Sequence, residues 1–159
     1  MGRRTEVKRR GQTRAGSPPA RSAYATLLSA ADRVRASFET VCAPFDITAQ
    51  QYNVLRILRG AEPEGLPTLI IAERMIERTP GITRMIDRLA AKDLVAREVR
   101  PHDRRCVYCR ITKKGLKLLE LLDKPVAKFN RAAFRALSDA ELKRLVALLA
   151  RTQAAHEAD

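Results

Sequence analysis

Four aliphatic residues, Ile82, Met85, Ile86 and Leu89, recur at i, i+3, i+4 and i+7, and they leave Thr83, Arg84, Asp87 and Arg88 on the opposite face of a predicted helix. Thr79 and Pro80 just before them are the residue types of an N-cap and a first helical position, which places this helix at residues 80–92. An exposed arginine fork can grip the O6 and N7 of guanine, and a threonine can reach a thymine methyl or a phosphate. Any solvated helix face also carries such residues, so the pattern gains meaning only from its neighbours in the chain. A few residues downstream lies a cluster of charge: Arg100, Pro101, His102, Asp103, Arg104, Arg105. Asp103 has no use against an anion. Its expected job is to brace one arginine while another enters the narrow, electronegative minor groove of a duplex.

Other reactive residue types are sparse. Cys106 and Cys109 form a C-x-x-C, but they fall in a predicted strand, where residues three apart point to opposite faces. A shared zinc site or disulfide is therefore not expected. Cys42 sits on the apolar side of the first predicted helix and reads as a small core residue. His102 and His156 are isolated. No Gly-rich phosphate loop, nucleophile elbow or spaced carboxylate pair occurs, so catalytic residues, metal ligands and a cofactor are not expected, and the chain is read as a non-enzyme.

The elements that must position the charged face can be read from periodicity. Residues 22–42 repeat apolar positions every three or four and stop before Pro44. Thr48 with Gln51 has capping-box spacing and opens a second helix that ends at Gly60. Residues 61–67, with two prolines and a glycine, read as a loop, and a short helix over residues 68–75 precedes the Arg84 helix. Residues 94–111 switch to strand character on either side of the charged tip, giving a β-hairpin. Thr112 then caps a long leucine-rich helix that meets Pro125, where a kink is expected, and Ser138 with Glu141 opens a last helix.

The 159 residues are enough for one core with helical extensions, and the low aromatic content with no Trp favours aliphatic helix packing. Formal net charge is +13. Residues 1–21 hold seven basic residues against one acidic, and residues 97–117 hold eight against two, so two stretches carry nearly all of the excess. That balance favours an anionic partner such as nucleic acid. Residues 1–21 have no apolar face to bury and read as a disordered basic arm, either tracking phosphates or merely solubilising the chain. No apolar run approaches the roughly 18 residues that cross a bilayer, so no membrane role is expected, and three cysteines fit a reducing, cytoplasmic setting.

The helices, the hairpin and the tip together resemble the MarR family of transcription regulators. The family's wing signature is carried here by Asp103, Arg105, Ile111, Thr112 and Gly115, preceded by residues 82–89 like its recognition helix and residues 94–97 like its first wing strand. The likeness in pattern runs over about residues 38–149. It departs at Ile76, where a glycine often makes the turn between the two helices, and at Asp93, where a glycine commonly ends the recognition helix. Ile resists positive φ and Asp tolerates it only moderately.

The resemblance implies a mainly α fold with a small β-hairpin wing: a winged helix-turn-helix lobe over residues 46–111, with dimerisation helices at residues 22–45 and 112–159. It implies a homodimer on double-stranded DNA at a pseudo-palindromic operator, acting as a repressor. Thr83 and Arg84 would read bases and Arg88 would contact phosphate, with Thr79 and Arg100 beside them; Arg104 or Arg105 would enter the minor groove, braced by Asp103. It also implies release by a small aromatic effector, for which Tyr24, Phe38, Tyr52 and Phe129 are the candidate contacts. A winged-helix module for non-specific nucleic-acid or protein interaction is the alternative.

Overall fold

The computed structural model describes residues 18–77, 80–100 and 103–157. Cα packing divides the chain into two units, Met1–Ala36 and Ser37–Asp159. The described part of the first unit is helical, the opening of helix α1 (Pro18–Cys42). α1 starts four residues before the expected Ser22, with Pro18 and Pro19 in its first turn, where a missing N–H costs nothing. Residues 1–17 of the basic arm lie outside the described residues.

In the second unit a 3-10 turn (Ala43–Phe45) comes after α1, and Asp46 in the left-handed region (φ 55°) ends it. Helix α2 (Ala49–Arg59) has the expected capping box: the Thr48 hydroxyl accepts from Gln51 N at 3.2 Å and the Gln51 side chain accepts from Thr48 N at 3.1 Å. Strand β1 (Leu66–Pro67) leads into helix α3 (Thr68–Arg74), and helix α4 (Ile82–Ala91) comes next. Strands β2 (Val95–Arg100) and β3 (Asp103–Ile111) form the hairpin, and helices α5 (Lys113–Ala133) and α6 (Asp139–Glu157) complete the chain. Pro125 lies inside α5, which continues past it.

The sheet is antiparallel and three-stranded in the order β1-β3-β2. β1 lies within the stretch expected to be a loop. Two residues, one of them proline, show no periodicity, and only pairing of Leu66 with Cys109 and Pro67 with Tyr108 makes them a strand. Gly65 makes the approach feasible: at φ 70° it lies so close to β3 that a Cβ would meet the Cys109 carbonyl oxygen at 2.5 Å.

One apolar core holds the second unit together. Val54, Leu55 and Leu58 of α2, Ile71 of α3, Ile86 and Leu89 of α4, Cys109 of β3, and Leu119 and Leu122 of α5 are all fully buried or within 1% of it. The i, i+3, i+4, i+7 stripe of α4 is thus its anchor: Ile86 and Leu89 lie in the core, and Ile82 and Met85 pack against its margin.

Candidate nucleic-acid interface

The outward face of α4 is what the spacing predicted, with Thr83, Arg84, Asp87 and Arg88 all exposed. Its four polar residues are in two different states. Asp87 is engaged by Arg97 of β2, which donates from Nη1 to Asp87 Oδ1. Among the described residues no carboxylate engages Arg84 or Arg88. The ion pair therefore ties the helix to the hairpin and quenches the single acid on this face, while two guanidiniums stay available for an external anion. The sequence pattern identified both partners of that pair but not their meeting, because ten residues and a change of period separate them.

α4 begins differently from the expectation. Gly81, at φ 102°, is its N-cap, and the first helical bond runs from Met85 N to the Gly81 carbonyl at 3.1 Å. Thr79, expected in that role, lies outside the described residues. A Cβ at Gly81 would meet nothing within 4 Å, so glycine serves there for its backbone conformation and not for space.

The far end of α4 is tightly determined. Leu94 N donates to the Leu89 carbonyl at 3.0 Å and Asp93 N to the Ala90 carbonyl at 2.9 Å, with Asp93 at φ 59°, which is a Schellman motif closed by the buried pair Leu89 and Leu94. Asp93 thus takes the left-handed position that the departure from glycine put in question, whereas Ile76 does not adopt a positive φ.

The start of α5 locks onto this end. The Thr112 hydroxyl donates to the Asp93 carbonyl at 2.7 Å and accepts from Gly115 N at 3.0 Å, capping α5. Lys114 Nζ donates to the Lys92 carbonyl at 2.7 Å, and the Lys92 ammonium reaches the Asp46 carboxylate at 2.9 Å. Gly115 lies against Leu94 so closely that a Cβ would meet its carbonyl oxygen at 2.4 Å. Three residues of the wing signature, Ile111, Thr112 and Gly115, thus serve to fix the root of the hairpin to the end of α4.

The hairpin pairs Val95 with Ile111 through Val99 with Val107, and the register shifts at Arg100. Arg110 of β3 reaches Glu98 of β2 at 3.6 Å. The side chains of Arg100, Asp103, Arg104 and Arg105 lie outside the described residues, so the expected brace is not placed. Cys106 and Cys109 are both on β3; Cys109 is buried and within 3.6 Å of the Thr68 hydroxyl.

Of the four aromatics expected to cluster, three do: Phe38 lies edge-on to Tyr52 at 5.2 Å and tilted against Phe129 at 5.0 Å. Tyr24 belongs to the other unit and is 68% exposed. Burial raises the Tyr52 phenol above its ordinary pKa, with Arg56 and Arg59 pulling against that. Burial, with help from Glu39, pushes the Cys42 thiol up to about 11, so at neutral pH it is a protonated core residue and a poor nucleophile. Among the described residues no group of three or more metal-ligating side chains occurs, and no helix is long and apolar enough to cross a membrane.

Comparison with known proteins adds to this geometry. The model of the MarR family matches residues 47–107, from the start of α2 into the hairpin. A MarR transcription factor from Planctomyces limnophilus is 42% identical, with 81% of this chain and 93% of that chain covered and a TM-score of 0.66. The uncharacterized helix-turn-helix transcriptional regulator YhbI of Bacillus subtilis is 31% identical over 67% of this chain and 68% of its own. The structure of Bordetella bronchiseptica BpsR, whose DNA binding is regulated by 6-hydroxynicotinic acid, is 26% identical with a TM-score of 0.73, covering 83% of this chain and 98% of that chain.

Proposed function

The chain belongs to the MarR family of transcription regulators, and from that premise we propose that it binds a pseudo-palindromic operator as a homodimer, acts as a repressor and is released by a small aromatic acid. The observation that carries the DNA-reading part is the outward face of α4. Arg84 and Arg88 stand exposed and without an acidic partner among the described residues, next to an Asp87 already neutralised by Arg97. A helix held this way presents a fork to guanine at low reorganisation cost, with Thr83 beside it for a thymine methyl or phosphate. Arg88 would take a phosphate, and Arg100, Arg104 or Arg105 at the hairpin tip would enter the minor groove with Asp103 as the brace.

Exposed apolar residues support dimerisation. Leu27 and Leu28 on α1, and Val146 and Leu148 on α6, are open to solvent in the single chain. Two-fold symmetry would then set the recognition helices about one duplex turn apart, near 10 base pairs. The Phe38, Tyr52 and Phe129 cluster is the proposed floor of the effector site, consistent with the aromatic acid that regulates BpsR. Hydroxybenzoates and hydroxynicotinates that raise the melting temperature and weaken operator binding would support that part; a panel without either effect would remove it.

The deciding experiment is selection from random duplexes at one fixed salt concentration, with Arg84→Ala in parallel. Enrichment of a palindrome whose preference relaxes at one position per half-site in the variant is expected. If each dimer neutralises about eight phosphates, the logarithm of affinity falls against log salt with a slope near −7. Failure to enrich any sequence would leave a basic winged-helix module that binds without sequence choice.

A further inference from the structure

Arg97 belongs to the inner side of the hairpin. Alternate residues of a strand share a face, and the residue two before Arg97 on β2 is the buried Val95. Residues directly opposite in an antiparallel ladder also share a face, and Arg97 is paired with the buried Cys109. Its side chain keeps 37% of its surface, so the guanidinium lies at the rim of that face, where a charge needs a partner. Glu98, the acid next to it in the chain, points to the other face and reaches Arg110. The partner is Asp87 of α4, which accepts from Arg97 Nη1. Burial raises the Cys109 thiol, and Arg97 and Asp87 act on it with opposite signs, in keeping with a pair seated beside β3.

What the pair prevents can be read from α4 itself. Side chains three and four residues apart meet on a helix surface, and adjacent ones do not. The neighbours of Asp87 at those spacings are Thr83, Arg84, Ala90 and Ala91, so Arg84 is the one cation within its reach on α4, while Arg88 is adjacent in sequence and faces elsewhere. A carboxylate released by Arg97 would therefore turn to Arg84. It would also leave an uncompensated negative charge on the face that is to meet an anionic duplex, where like charges repel. A direct phosphate contact by Arg97 is the poorer reading, because its place in the ladder aims it at the inner face and its guanidinium is already engaged by Asp87.

Resting on the DNA-reading role proposed for α4, we propose that Arg97 is a positioning residue of this interface: without touching DNA, it holds the Asp87 carboxylate away from Arg84, so that the Arg84 guanidinium meets the duplex uncommitted.

The test compares the full-length chain with Arg97→Thr, whose side chain is too short to reach Asp87 and suits a strand, and with the double variant Arg97→Thr, Asp87→Asn, which has the net charge of the wild type. Should the threonine variant not fold, Arg97→Met keeps the packing of the stem without a donor and takes its place. The first readout needs no DNA: modification of Arg84 by phenylglyoxal relative to that of Arg88, followed by peptide mass spectrometry. Arg97→Thr should slow Arg84 about twofold, the scale of an exposed i, i+3 pair, and the double variant should return it to the wild-type ratio. The second readout is affinity for the duplex that the wild-type chain selects, relative to a random duplex at the same salt. Arg97→Thr should lower that preference about threefold per half-site and so about tenfold for a dimer, as the loss of one exposed ion pair at each half-site allows, and the double variant should recover it to within about twofold. An Arg84 that reacts equally in wild type and Arg97→Thr would overturn the proposal. So would a double variant as weak as the single one with a shallower salt slope, since Arg97 would then be a phosphate contact. A wild-type chain that selects no sequence would remove the DNA-reading premise and the proposal with it, an outcome that the labelling keeps distinct from a misplaced Arg97.

Discussion

The two ends of α4 are built in opposite ways. At its start, a glycine in the left-handed region gives way directly to an exposed turn bearing Thr83 and Arg84, without a side-chain cap among the described residues. At its end, a Schellman motif, the Thr112 hydroxyl, the Lys114 and Lys92 ammonium groups and the close approach of Gly115 fix every turn of the chain. In the DNA-binding role proposed for α4, a helix clamped at one end and open at the other would present a constant angle while its leading turn adjusts to a base pair. Changes at the clamped end should therefore cost stability and leave base preference alone, and changes at the open end should do the reverse.

The largest effect is expected at Gly115. Alanine normally favours a helix by about 1 kcal/mol over glycine, but here its Cβ would lie 2.4 Å from the Leu94 carbonyl oxygen and 2.7 Å from the Ile111 side chain. Forcing the two apart should cost a net of about 2–3 kcal/mol, lowering the melting temperature by roughly 5–10 °C. The folded variant should still select the same operator sequence. A neutral Gly115→Ala would mean that the clamp is loose and that the two ends of α4 do not differ as their contacts suggest.

At the open end, Arg84→Ala should cost about 1–3 kcal/mol of base discrimination and shift the unfolding free energy by less than about 0.5 kcal/mol. Competition of matched and mismatched duplexes, together with thermal melts, separates the two quantities. Loss of stability without loss of discrimination would make Arg84 a structural residue of α4. Between these extremes lies Thr112→Ala, which removes a cap and a bond to the Asp93 carbonyl and should destabilise by about 1–2 kcal/mol, with Thr112→Ser restoring most of it.

What could be read from the sequence divides along the same line. The clamped core of α4 was legible because four aliphatic residues at helical spacing can be buried in only one way, and the hairpin because residues 94–111 change period. The capping pairs at Thr48 and Ser138 were legible too, since their bonds are local; Ser138 bonds to Glu141 by backbone and hydroxyl and holds that carboxylate below its usual range. What escaped depends on contacts between distant residues. The strand character of Leu66 and Pro67 exists only through β3, and the Asp87–Arg97 pair only through the placement of the hairpin beside α4. The start of α4 was misplaced for another reason: Thr79 and Pro80 carry the side-chain signal, but Gly81 carries the backbone one, and the backbone decides. The start of α1 had a signal, prolines in a first turn, hidden in a stretch whose charge reads as disorder.

The smallest and most informative change is at Asp93, the one residue of the clamp that is chemically unsuited to its place. Its φ of 59° suits glycine, and its carboxylate sits at the negative end of the α4 dipole. Asp93→Asn removes the charge and keeps a side chain that tolerates this conformation, so the dipole contribution alone should appear, about 0.3–1 kcal/mol of stabilisation. Asp93→Gly removes both strains but adds freedom to the unfolded chain, worth about 0.4–1 kcal/mol in the opposite sense, so its net gain should be no larger than that of the asparagine variant by more than about 1 kcal/mol. Because the Asp93 carbonyl, not its side chain, accepts from Thr112, neither variant should disturb the clamp or the operator preference. If Asp93→Asn instead destabilises the protein, the left-handed position depends on the carboxylate itself and the dipole is not what sets the stability of this end of α4.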